Sequence, residues 1–70
     1  MLRRRVSSSV IAAIDYDDER RLLDVEFRSD AVYRYFKVPV HVFEGLCAAP
    51  SIGEYFNALI KDAYVWVQLR

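Results

Sequence analysis

The sequence predicts an α+β domain in which a three-stranded antiparallel meander is followed by two short helices packed on one face of the sheet. Three observations predict this order. Residues 10–37 are rich in β-branched and aromatic side chains, one segment within them alternates between apolar and polar residues, and the segment after Pro50 has apolar residues at helical spacing. A chain of 70 residues suffices for one such domain.

The first two strands are predicted over residues 10–16 and 22–28. In the second, Leu23, Val25 and Phe27 point to one face and charged residues to the other, which is typical of a sheet with one buried face. In the first, a period of two assigns four side chains to the buried face: Val10, Ala12, Ile14 and Tyr16.

The loop before the third strand, residues 32–37, decides the register. A three-residue loop over residues 28–30 places Asp24 opposite Arg34 and pairs apolar side chains with each other, whereas a two-residue loop would set an apolar side chain opposite Arg34. The odd loop is therefore predicted, with Asp30 in the left-handed conformation that glycine adopts more readily.

Two helices follow. Pro39 suits the first turn of a helix whose buried face holds Phe43, Leu46 and Cys47, and Pro50 ends it. The second helix begins with a capping box, in which the Ser51 side chain accepts the Glu54 N–H. Its apolar stripe is predicted to pack on the sheet: Ile52, Tyr55, Phe56, Leu59, Ile60 and Ala63. Gly53 is interpreted as a site of close backbone approach or of tight packing between helix and sheet.

The remaining segments divide the chain into three parts. Residues 1–6 are predicted to be a flexible basic arm, residues 7–64 the domain, and residues 65–70 a C-terminal tail that is either an edge strand or an exposed end. The apolar run after the arginines is too short for a signal peptide, and nothing approaches the roughly 20 apolar residues of a membrane span. The expected location is the cytoplasm.

The sequence contains few residues that could form a catalytic site. His41 has no predicted acid or nucleophile beside it, and Cys47 is interpreted as a small apolar side chain on a helix. One histidine and one cysteine are too few ligands for a zinc site. The acidic cluster over residues 15–19 lacks the ligand order of a calcium loop. We expect no enzyme activity, metal, cofactor or small-molecule substrate.

The aromatic stretch around Arg34 is the most suggestive. Tyr33 and Tyr35 share a face with Leu23 and Val25, so they are either core residues or a platform on which bases stack. The net charge of zero lacks the positive field of a dedicated nucleic-acid binder, although the first six residues include three arginines.

Five segments together resemble the KTSC domain, which occurs at the C-terminus of some lysyl-tRNA synthetases and as a small free-standing bacterial protein. In chain order they are Ser8-Ser9-Val10-Ile11, Leu23-x-Val25-x-Phe27, Tyr33-Arg34-Tyr35, Val38-Pro39 and Ala49-Pro50-Ser51-x-Gly53-x-x-Phe56. The resemblance spans residues 7–64 and implies a small binding module, with RNA as a suggested ligand. Asp30 stands where the family usually has a turn glycine. Four helix positions are less basic or polar than the family pattern: Ile52, Glu54, Ala58 and Leu59.

Two functional hypotheses follow. The first is a non-catalytic RNA-binding module whose phosphate and stacking contacts come from seven residues: Arg3, Arg4, Arg5, Tyr33, Arg34, Tyr35 and Lys37. The second is a protein-interaction or homodimer module, since apolar residues are unusually frequent for so small a domain. Its expected interface holds Ile52, Val65, Trp66 and Val67.

Overall fold

The computed structural model describes residues 2–6 and 8–70, and for residues 2–5 the backbone alone. Five strands and two helices follow in chain order: β1 (Leu2–Arg5), β2 (Ile11–Asp17), β3 (Leu22–Phe27), β4 (Val32–Tyr35), α1 (Val40–Ala48), α2 (Ile52–Leu59) and β5 (Trp66–Gln68). The strands form one antiparallel sheet in the order β1-β2-β3-β4-β5. The predicted α+β class and meander are confirmed, and the sheet has one further strand at each edge.

The register between β3 and β4 is the one that loop parity predicts. Asp24 lies opposite Arg34, and Val25 lies opposite Tyr33. A hydrogen bond from the Phe27 N–H to the Ala31 carbonyl, at 2.9 Å, joins the two ends of the loop. Asp30 adopts the left-handed conformation with φ of 73°, as expected.

The buried face of β2 differs from its predicted face at the start of the strand. The register with β3 shifts between Ile11 and Ala13, so Ala12 is an extra residue in a β-bulge. The extra residue shifts the alternation of inward and outward side chains by one position. Ile11 is therefore fully buried and Val10 is 53% exposed. The prediction that Val10 and Ala12 share the buried face of Ile14 was wrong for this reason.

The basic N-terminal segment is part of the sheet. Leu2–Arg5 pairs antiparallel with β2, with Arg3 opposite Asp15, and the Val6 N–H donates to the Ala12 carbonyl at 3.3 Å. The prediction of a flexible arm over residues 1–6 was therefore wrong for residues 2–6, because backbone pairing orders an edge strand without any apolar alternation. Met1 lies outside the described residues.

Both helices begin at the predicted signals. Pro39 is the N-cap of α1, with φ of −66°, and the Ser51 hydroxyl accepts the Glu54 N–H at 3.4 Å at the start of α2. The apolar stripe of α2 is buried only in part. Phe56 and Ile60 are buried, whereas Leu59 is 51% exposed. Ala63, predicted to pack on the sheet, is exposed because the helix ends at Leu59 and the chain turns before Ala63.

The core lies between the inner face of the sheet and the two helices. Its largest fully buried side chain is Tyr16, whose ring stacks on Phe43 with centroids 4.6 Å apart and whose hydroxyl donates to the Val38 carbonyl at 2.6 Å. Burial raises the pKa of the Tyr16 phenol, with smaller charge effects. The hydroxyl therefore serves as a fixed donor that ties β2 to the segment before α1.

Replacing Asp30 by glycine should stabilise the domain by about 0.5–1 kcal/mol, because glycine adopts a positive φ without the steric cost that aspartate incurs. The bond from the Arg70 side chain to the Asp30 carbonyl uses the backbone and should persist. Urea unfolding measures the change. The matched control is Ser29→Gly. Because Ser29 does not have a positive φ, this substitution should leave stability unchanged or lower it. Equal gains from both changes would contradict the explanation.

Candidate aromatic groove

The inner face of the sheet is open near the β4–β5 edge, where a groove of about 290 Å³ lies between β4 and the end of α2. We call it the aromatic groove. It is lined by Phe27, Ser29, Ala31, Tyr33, Tyr35, Phe56, Asn57 and Lys61. Aromatic faces, an amide and an ammonium group therefore meet at one place on the surface.

Ring contacts hold the walls of the groove in position. Phe27 meets Tyr33 and Phe56 edge-on, each pair with centroids 5.6 Å apart. At the rim, the ring of Trp66 lies 5.1 Å from that of Tyr33 at an interplanar angle of 47°. Tyr33 is half-buried and Trp66 is 46% exposed, so this pair offers ring surface to solvent.

The two tyrosines of the central motif have different surroundings. Tyr35 is only 2% exposed and packs edge-on against Phe56 at 5.5 Å, so it belongs to the core and forms the floor of the groove. Burial raises the pKa of the Tyr35 phenol to about 12, with smaller contributions from Tyr33 and Asp62. Its hydroxyl therefore remains neutral at physiological pH and brings no negative charge to the groove.

Arg34 lies on the opposite face of the sheet from the tyrosines. Its guanidinium forms a bidentate pair with Asp24, with Nε 2.8 Å and Nη2 2.9 Å from the two carboxylate oxygens. The hydrogen bond to Asp24 raises the pKa of Arg34, and partial burial opposes it. The predicted pairing is present, and it separates this cation from the aromatic residues with which it was grouped.

The other cations proposed from the sequence are also apart from the aromatic groove. Lys37 is exposed in a left-handed turn with φ of 59° and lines a different surface depression, beside Tyr64 and Val65. Arg3, Arg4 and Arg5 belong to β1, which two strands separate from β4, or roughly 14 Å across the sheet. The side chains of these arginines lie outside the described part of the structure.

The residues proposed for a protein interface also divide. Trp66 and Val67 lie on β5 and Val65 directly precedes it, and all three are exposed. Ile52 lies in the first turn of α2, where it is half-buried against the core cluster. Ile52 lines a depression with Val10, next to the start of β2, and β3 and β4 lie between β2 and β5, so the strand and Ile52 do not form one surface.

The residues weighed for catalysis lie apart from the groove. His41 is exposed at the start of α1, and Cys47 is half-buried against the core. The acidic cluster forms a hairpin turn in which an Asp17 oxygen accepts the Glu19 and Arg20 N–H groups at 3.1 and 3.2 Å. Among the described residues, no group of three His, Cys, Asp or Glu side chains is arranged to hold a metal ion.

Sequence reasoning missed Phe27, Asn57 and Lys61 as groove residues. Phe27 was assigned only to the buried face, and Lys61 follows the end of α2, where helical periodicity no longer predicts direction. The one available signal was that Asn57 and Lys61 are four residues apart, a spacing that brings side chains to one helix face, and that Asn57 directly follows the predicted core residue Phe56.

The fold and the groove define a small α+β domain with an aromatic groove at one edge of an antiparallel sheet. The family model of the KTSC domain matches residues 7–64. The crystal structure of a KTSC domain protein from Yersinia pestis superposes with a TM-score of 0.94 at 33% identity, covering 99% of this chain and 97% of that one. The chain belongs to the KTSC domain family.

Relatives include both small proteins and larger ones. An uncharacterized protein from Stutzerimonas stutzeri is 43% identical over 64 residues, covering 91% of this chain and 90% of that protein. A lysine–tRNA ligase from Nostoc punctiforme is 46% identical over 61 residues, covering 87% of this chain and 11% of the ligase. The chain thus spans about a tenth of the ligase's length. Among the described residues, no helix has the length and apolar content needed to cross a membrane.

Proposed function

We propose that the domain is a non-catalytic module that binds single-stranded RNA by stacking an unpaired base in the aromatic groove. The observation that carries the proposal is the partly exposed ring pair of Tyr33 and Trp66 at the rim of a groove that Lys61 also lines. Stacking on such rings is worth about 1–3 kcal/mol per base and tolerates any base, because every base has a π-face.

The polar groups of the groove complement this use. Lys61 and Asn57 both line the groove, where an ammonium group can bind a phosphate and an amide can offer donors and an acceptor to a base edge. The described lining contains no carboxylate, imidazole or thiol, which favours binding without chemistry. The occurrence of the domain within proteins named lysine–tRNA ligase is consistent with an RNA ligand.

The placement of the cations predicts a weak dependence of affinity on salt. Arg34 is paired with Asp24 on the other face of the sheet, and Lys37 lies outside the groove. One phosphate contact by Lys61 corresponds to a slope of about −0.7 in a plot of log affinity against log salt concentration. The seven-residue set proposed from the sequence would give a much steeper slope.

Trp66 makes the test direct, because it is the one tryptophan of the chain. Titration with eight-nucleotide single-stranded RNA should quench its fluorescence as a base stacks against it. Tyr33→Leu should weaken binding roughly five- to 150-fold, the equivalent of one lost stacking contact. Lys61→Ala should weaken it less, and Lys37→Ala should serve as the matched control and leave affinity nearly unchanged.

Two results would overturn the proposal. One is an unchanged Trp66 signal, together with unshifted amide resonances around the groove, at millimolar RNA. The other is binding that Lys61→Ala and Lys37→Ala weaken equally, because that would indicate diffuse attraction rather than a site. Circular dichroism of each variant confirms that it is folded before affinities are compared.

A further inference from the structure

The two edges of the sheet differ in charge. The β1 edge carries Arg3, Arg4 and Arg5, and charged residues on an edge strand oppose pairing with another chain. The β5 edge lies within residues 63–69, which contain no charged residue. In the described part of the chain, β4 is the strand that pairs with β5, so the other side of β5 is an open edge.

The backbone hydrogen bonds of β5 show which groups this open edge presents. The Val65 carbonyl accepts from Phe36 at 2.9 Å, and the Leu69 N–H donates to Val32 at 2.7 Å, so both residues direct these groups toward β4. Because direction alternates along an antiparallel strand, the N–H and C=O groups of Trp66 and Gln68 point away from β4.

Apolar side chains flank these groups on the outer face of the sheet, which neither helix covers. Val65 is 74% exposed, Val67 is 44% exposed and Leu69 is 48% exposed. Val67 is the register partner of Arg34 and so lies on the outer face, whereas Trp66 pairs with Tyr35 on the inner face. Three apolar side chains in one row beside an open edge are a typical site for strand addition.

We propose that β5 pairs antiparallel with β5 of a second copy of this chain, about a two-fold axis at Val67. In this register Trp66 lies opposite Gln68 of the second copy, and each exchanges its free N–H and C=O bonds with the other. Val67 meets Val67 of the second copy, and Val65 meets its Leu69. The two sheets become one continuous sheet.

The observations favour a second copy over another strand because the segment is self-complementary. The free hydrogen-bonding groups flank Val67 symmetrically, and antiparallel pairing about Val67 sets the Arg70 of each copy opposite Tyr64 of the other, so no like charges lie opposite each other. The net charge of zero adds no general repulsion between copies. The Trp66 ring lies on the inner face beside Tyr33, whereas the apolar row that meets the second copy lies on the outer face, so the proposed dimer does not use the side chains that line the aromatic groove.

Sedimentation equilibrium of the chain, without RNA, tests the dimer. The average mass should rise with concentration toward twice 8.2 kDa. Val67→Lys and Val67→Glu should each remain monomeric at concentrations at least tenfold higher, because like charges then meet at the axis. An equimolar mixture of the two variants should dimerise again, because the introduced lysine of one copy then faces the introduced glutamate of the other. Val40→Lys, at a site 48% exposed on α1, is the matched control and should dimerise as the original chain does.

Hydrogen exchange locates the contact if both Val67 variants fail to fold. The Trp66 and Gln68 amides should exchange more slowly as protein concentration rises, while the exposed Ser29 amide should not change. A chain that stays monomeric at millimolar concentration overturns the proposal. So does a dimer in which the Trp66 and Gln68 amides exchange freely, or one that Val40→Lys disrupts as strongly as Val67→Lys.

Discussion

Replacing Phe56 by alanine is expected to cost about 3–5 kcal/mol of folding free energy, a large part of the stability of a domain of this size. Phe56 is 4% exposed and lies on α2, where its ring contacts Phe27 on β3 at 5.6 Å and Tyr35 on β4 at 5.5 Å. It therefore links a short helix to two strands. An isolated helix of eight residues is not stable in water, so loss of this contact should release α2 and open the groove.

Urea unfolding followed by circular dichroism measures the effect. Phe56→Leu keeps apolar volume but loses the edge-on ring contacts, and it should cost about 1–2 kcal/mol. This milder variant gives a value even if Phe56→Ala does not fold. Leu59→Ala lies on the same helix but starts 51% exposed, so its cost should stay near 0.5 kcal/mol. Comparable losses from Phe56→Leu and Leu59→Ala would show that α2 is not held to the sheet through the Phe56 ring.

The register of the central hairpin could be predicted because it depends on local chemistry. Only an odd loop places Asp24 opposite Arg34 while the apolar side chains pair with each other, and the loop length fixes the partner of every residue after it. The left-handed Asp30 follows from the same loop. These features required only the order of residues in adjacent strands.

The bulge in β2 and the pairing of β1 could not be predicted in this way. Val10 and Ile11 are both apolar and β-branched, so the sequence does not show which of them faces inward once Ala12 is inserted as an extra residue. The arginines of β1 show no alternation, and backbone bonds to β2 specify their strand. In both cases the deciding interaction is made by the backbone.

The candidate site was predicted only in its aromatic half. Tyr33 and Tyr35 were expected on one face, as observed, but the cation that joins them is Lys61, which is 26 residues beyond Tyr35 in the chain. Arg34, adjacent in sequence, faces the other way because neighbouring residues of a strand alternate. Proximity in sequence therefore grouped Arg34 with the tyrosines, whereas the packing of α2 on the sheet brings Lys61 to the groove that they line.

The close backbone approach that was predicted at one glycine is found at the other. Gly53 was interpreted as a point of close approach, but a Cβ built there meets no other atom within 4 Å, so that interpretation was wrong. Gly45, inside α1, is the close approach instead. A Cβ there would lie 2.8 Å from Cζ and 3.1 Å from Cε2 of Tyr55 on α2. The contact between the two helices therefore depends on the absence of a side chain at Gly45.

Gly45→Ala should accordingly destabilise the domain by about 1–2 kcal/mol, even though alanine is the better helix former by about 1 kcal/mol. The Tyr55 ring has little freedom to move away, because it is half-buried and its hydroxyl donates to the Val42 carbonyl at 3.1 Å. Overpacking between α1 and α2 thus outweighs helix propensity at this position.

A double-mutant cycle separates the two effects. Tyr55→Leu removes the ring that a new Cβ would strike, so Gly45→Ala in that background should become stabilising by about 0.5–1 kcal/mol. The change of sign, a coupling of about 1.5–3 kcal/mol, is the expected result of urea unfolding on the four proteins. Gly53→Ala, where the added methyl group meets nothing, is the matched control and should not depend on Tyr55. If Gly45→Ala destabilised the domain equally in both backgrounds, its cost would arise within α1 itself. The close contact between Gly45 and Tyr55 would then not limit the packing of α1 against α2.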